Sequence, residues 1–98
     1  MMGLTVEAEQ LADVCRRHHV CELAVFGSAA RGDAGPDSDI DVLVQFEPSA
    51  RIGFIALSRL TRDLEVLFGR RVDVATKRGL NARIRDRVLA EAEVVFAA

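Results

Sequence analysis

The chain has 98 residues, enough for one domain and too few for a second. Half of the residues are apolar and 29% are charged, a balance that fits a globular domain and excludes a disordered one. Thirteen Lys and Arg against fifteen Asp and Glu leave a formal net charge of −2, and with five Phe but no Trp or Tyr the chain lacks the positive field and stacking aromatics of a protein that grips nucleic acid directly.

Met1-Met2-Gly3-Leu4 has neither the basic nor the long apolar stretch of a secretory signal. No apolar run approaches the ~18–20 residues of a membrane span, so the expected location is the cytoplasm, with no membrane contact. Leu4, Ala8, Leu11, Ala12 and Cys15 recur at helical spacing, which predicts an amphipathic helix over 4–17, acidic early and basic late. Cys15 and Cys21 are too few for a disulfide framework. With His18 and His19 they give Cys-x2-His-His-x-Cys, which fits no common zinc spacing. They read as small buried apolar residues, with the His pair in a turn.

The apolar run 21–26 reads as a buried strand that ends at Gly27. Gly27-Ser28-Ala29-Ala30-Arg31-Gly32 is a strand-to-helix turn, and the turn formers of 33–38 make a loop. Residues 39–46 predict a strand with Ile40, Val42 and Val44 on one face and Asp39, Asp41 and Leu43 on the other. A loop around Pro48 leads to a long helix marked by Phe54, Leu57, Leu60, Leu64, Leu67 and Phe68 and closed by Gly69. Ile55 and Val66 widen its apolar surface beyond one stripe. Residues 72–75 predict a strand with Asp73 facing away from Val72 and Val74. Leu80, Ile84, Val88 and Leu89 mark a last helix with Arg83, Arg85 and Arg87 outside, and 93–96 a final edge strand. The expectation is a single α+β (mixed α/β) domain over 1–98, a small mixed sheet packed with helices.

Two carboxylates two apart on a strand point the same way, their Cα atoms roughly 6.5–7 Å apart. From there they can converge on one or two hard cations, and Mg²⁺ commonly takes one or two carboxylates plus substrate phosphates. If the strand of Asp73 lies beside that of Asp39 and Asp41, three acids share one face. Three buried like charges repel strongly without a cation, so a metal is the simplest reason for such a cluster. Taken singly, Asp39 also reads as a cap on local backbone groups and Asp73 as an exposed strand residue. Asp41 is harder to dismiss, since it interrupts a β-branched run.

Gly27 lets the backbone turn sharply beside a ligand, and Ser28 opens a short helix whose N–H groups favour phosphate, unless it is an ordinary N-cap. No Lys-Ser/Thr follows at the spacing of a Walker A loop. Arg31, one turn later, reads either as a phosphate contact or as a solvated helix-end cation. Lys77 and Arg78 after the Asp73 strand read as neutralising charge or plain surface.

Gly27-Ser28, ten residues, Asp39-x-Asp41 and a distal Asp on a later strand together resemble the nucleotidyltransferase superfamily typified by DNA polymerase β. More narrowly, Gly27-Ser28-Ala29-Ala30-Arg31-Gly32 with Ser38-Asp39-Ile40-Asp41-Val42 resembles the minimal nucleotidyltransferase (MNT) group, over essentially the whole chain. The resemblance implies that Gly27 and Ser28, with Arg31, hold the triphosphate of ATP. It implies that Asp39, Asp41 and Asp73 bind two Mg²⁺ ions, and that Asp73 helps activate the attacking hydroxyl.

Members of this group stand as antitoxins beside HEPN-domain ribonuclease toxins, so the implied activity is transfer of AMP from ATP to a tyrosine of such a partner. This chain contains no Tyr, which excludes tyrosine self-modification. The alternative expectation is a catalytically inactive antitoxin or binding module that neutralises its partner by contact. Drug-type small-molecule nucleotidylation lacks a second domain to build the pocket. Nucleotide preference, the acceptor residue and homo- or hetero-oligomeric state are left open by the sequence.

Overall fold

The computed structural model of the chain describes residues 7–32, 35 and 38–98. The expected first turn of the opening helix and most of the 33–38 loop, with Asp33, Ala34, Pro36 and Asp37, lie outside the described residues. The eight elements come in the expected order: α1 Ala8–Arg17, β1 Val20–Phe26, α2 Ser28–Arg31, β2 Ile40–Phe46, α3 Phe54–Phe68, β3 Val72–Thr76, α4 Ala82–Glu91 and β4 Glu93–Ala97.

The sheet order is β3-β2-β1-β4. β1 runs antiparallel to both β2 and β4, whereas β2 and β3 are parallel. A parallel pair needs a crossover, and α3 supplies it. Gly69 ends α3 in the left-handed conformation at φ 69°, its N–H donating to the Glu65 carbonyl at 2.8 Å. The Glu65 carboxylate accepts the N–H of Val72 at 3.1 Å, which ties the crossover to the start of β3.

Period-two alternation divides the sheet between two layers. On one face Leu11, Val14 and Cys15 of α1 and Leu60 and Leu64 of α3 bury Leu23, Val25, Ile40, Val42 and Val44. A buried leucine of this kind contributes about 1.5–3 kcal/mol relative to an exposed one. On the other face Val88 of α4 packs on Ala24 and Leu43, a thinner layer. His18 lies in the turn between α1 and β1, where its Nε2 meets the Asp63 carboxylate at 2.6 Å and links α1 to α3. Cys15 is fully buried as expected, and burial pushes its thiol up to about 12 against a weaker opposing pull from Arg16. Cys21 is only half-buried, its thiol donating to the Gln45 carbonyl at 3.3 Å.

Two expectations about packing need correction. Phe54 fits the helical period of α3 but is 85% exposed, because the helix begins there with no layer beneath its first turn. Ile84 and Leu89 of α4 also stay exposed, since only the Val88 side of that helix reaches the sheet. Among the described residues no helix is long and apolar enough to cross a membrane.

Candidate active site

The parallel pairing of β2 with β3 sets Asp41 in register with Asp73. Neighbouring strands lie about 4.8 Å apart, so the two side chains stand side by side on the α4 face of the sheet. Across the other edge of β2, Asp41 is opposite Phe26, the last residue of β1. Gly27 follows at once, with φ 69° and ψ −146°. A Cβ on Gly27 would collide with the Asp41 carboxylate and lie 3.3 Å from its Cγ. The glycine is therefore required twice over, by its backbone angles and by the carboxylate packed against it.

Ser28 comes next and opens the one-turn helix α2, which Gly32 ends at φ 79°. Asp39 lies just before β2, and its Oδ1 is 4.0 Å from Nε of the exposed Arg71. Arg31, at the end of α2, reaches Glu91 of α4 at 3.2 Å. Neither Arg71 nor Glu91 was expected at the site, because nothing local in the sequence signals a contact made across the sheet.

The Asp41 carboxyl is raised above its ordinary value by burial first, then by the charges of Asp73 and Asp39; Arg31 pulls the other way. The expectation of three buried acids is corrected, however: Asp41 is half-buried, while Asp39 and Asp73 are exposed. The reason is position, since β3 is an edge strand and Asp39 precedes its strand. Among the described residues no three His, Cys, Asp or Glu side chains close around a common point as a metal cage. What the corner offers is a set of hard carboxylate oxygens led by the Asp41–Asp73 pair, open to solvent, with a bare glycine beside it. That donor set fits Mg²⁺, which completes its shell with substrate phosphates and water.

Lys77 and Arg78 are not part of this corner. Lys77 follows the far end of β3, about 13 Å along the strand from Asp73. There its ammonium pairs with Glu22 at 2.5 Å and Gln45 at 3.4 Å.

A mixed sheet with an Asp-x-Asp strand end and a glycine turn packed on it defines a domain for nucleotidyl transfer. The nucleotidyltransferase domain family matches residues 8–95, and the chain belongs to that family. The protein adenylyltransferase MntA of Thermococcus cleftensis is 43% identical over 90 residues, covering 90% of this chain and 84% of its own length. A Methanocaldococcus jannaschii chain assigned as a protein adenylyltransferase is 33% identical over 91 residues, covering 93% of this chain and 96% of its own. Among solved structures, a chain assigned as a minimal nucleotidyltransferase superposes with a TM-score of 0.74 at 44% identity, over 88% of this chain and 86% of that one. A toxin–antitoxin structure with AMP-PNP shares the fold, with a TM-score of 0.77 at 19% identity over 95% of this chain and 75% of the other.

Proposed function

We propose that this chain, as one domain over 1–98, is a Mg²⁺-dependent protein adenylyltransferase that moves AMP from ATP to a HEPN-type toxin and so acts as its antitoxin. The observation that carries the proposal is the register of Asp41 with Asp73, with Gly27 packed on the Asp41 carboxylate. Similarity to a protein adenylyltransferase at 43% identity supports the reaction class. The partner class is supported by the shared fold with the antitoxin complex of a tri-AMPylated Shewanella oneidensis HEPN toxin.

Asp39, Asp41 and Asp73 would hold the metal ions, and Gly27, Ser28 and Arg31 the triphosphate. Bound Mg²⁺ supplies charge neutralisation for the attacking and leaving oxygens of an in-line displacement. The open backbone at Gly27 admits the phosphates close to Asp41. The acceptor hydroxyl attacks the α-phosphorus, the bond to the β-phosphate oxygen breaks, and diphosphate leaves. Asp73, exposed beside Asp41, takes the hydroxyl proton.

The test is transfer of label from α-labelled ATP to a purified HEPN-domain toxin. Label should appear on the partner with Mg²⁺, and it should vanish with EDTA or in Asp41→Asn. A second reading, neutralisation by contact alone, is favoured by the apolar surface left exposed on α3. Asp39→Asn/Asp41→Asn protein that still silences the toxin as well as wild type would establish that reading instead.

A further inference from the structure

The outward face of α3 carries Ile55, Arg59, Arg62 and Val66 at spacings of four, three and four, so the four side chains form one stripe along the helix. Leu60 and Leu64 point the other way and are fully buried, which fixes the stripe as the solvent side. Ile55 is 70% exposed and Val66 79%, and Phe54 at 85% extends the apolar surface at the start of the helix. Arg59 and Arg62 make no ion pair among the described residues. Between Ile55, Arg59 and the α1–β1 turn lies an open groove of about 640 Å³. Large exposed apolar side chains grouped on one face mark a binding surface rather than scattered surface residues.

Charge decides what fits there. A second copy packed α3 against α3 would set Arg59 and Arg62 against the same residues of its mate, and like charges across an interface are costly. In a chain of net charge −2, this face is a local excess of positive charge.

We infer that the α3 stripe docks an acidic, apolar-anchored surface of the partner protein, with carboxylates meeting Arg59 and Arg62 and apolar side chains covering Ile55 and Val66. This rests on the adenylyltransfer reading for the partner's identity. It adds that partner grip and chemistry use opposite faces of the sheet: α3 covers the face of Ile40 and Val42, whereas Asp41 alternates to the other. A partner anchored on α3 therefore has to extend its acceptor residue around the edge of the sheet to reach the nucleotide corner, which the anchor itself does not cover.

The experiment is titration of a purified HEPN-domain toxin against wild type, Ile55→Ser and Arg59→Glu/Arg62→Glu, at low and high salt. All substituted stripe positions are exposed, so unfolding is not expected, and circular dichroism melts confirm it. Ile55→Ser should weaken binding about tenfold and the charge reversal about a hundredfold. Binding by wild type should fall with salt far more than binding by the reversal. If wild type binds and the stripe variants bind equally well, the docking inference is wrong while the transferase reading stands. If wild type does not bind the HEPN protein at all, the transferase partner is wrong and the inference falls with it. Stripe-dependent self-association of the isolated chain, or stripe-dependent binding to phosphatidylserine vesicles, would overturn the inference in favour of those occupants.

Discussion

Replacing Gly27 by Ala tests the local geometry on which the nucleotide corner depends. Two separate costs follow from the structure. The backbone at φ 69°, ψ −146° is close to a region that glycine alone occupies readily, and a side chain there costs about 1–3 kcal/mol. The new Cβ also meets the Asp41 carboxylate, so that side chain must leave its rotamer, at about 0.5–1.5 kcal/mol. The sum is about 1.5–4.5 kcal/mol, or a Tm lower by about 6–36 °C in a domain of this size. Transfer should fall by about a hundredfold or more, since the displaced carboxylate is one that would hold the metal. The costs separate in an Asp41→Ala background. Of the three atoms nearest that position only the residue 41 Cβ then remains, at 3.5 Å, an ordinary contact. Gly27→Ala should then cost only the backbone share, leaving a coupling of about 0.5–1.5 kcal/mol in urea unfolding. An equal cost in both backgrounds would refute the reasoning, because the carboxylate would then not occupy the space beside Gly27.

Asp41→Asn should raise the Tm of the metal-free protein at neutral pH. Its folded carboxyl titrates above the ordinary value of 3.8, so the ionised form weighs against folding at every pH above the raised folded value. The gain should shrink as pH falls through that value and vanish below the ordinary one; a lower Tm at pH 7 would show instead that the carboxylate is structurally held. Native protein treated with iodoacetamide should lose Cys21 and keep Cys15, whose buried thiol is raised to about 12, and mass spectrometry after alkylation with and without urea checks this. Leu64→Ala should cost about 2–5 kcal/mol by cavity formation, whereas Val66→Ala, two residues on and 79% exposed, should stay within about 0.5 kcal/mol; thermal melts of the pair test which face of α3 is core.

The sequence by itself determined the order of all eight elements, because each carries a local signal: the helical period of Leu60 and Leu64, the alternation of Ile40, Val42 and Val44, and the glycines at 27 and 69 where left-handed turns fall. It also determined that Asp39 and Asp41 belong together, since two residues apart near one strand end is a statement about neighbours in the chain. Only the tertiary structure decided that β3 lies parallel to β2 with Asp73 against Asp41, and that Gly27 closes on the same carboxylate. It likewise placed Lys77 at the far end of the sheet with Glu22, brought Glu91 to Arg31, and left Phe54 in solvent. Periodicity fixes which way a side chain faces along its own element. Which element lies across from it depends on pairing between strands far apart in the chain, and burial depends on whether another layer happens to cover that end.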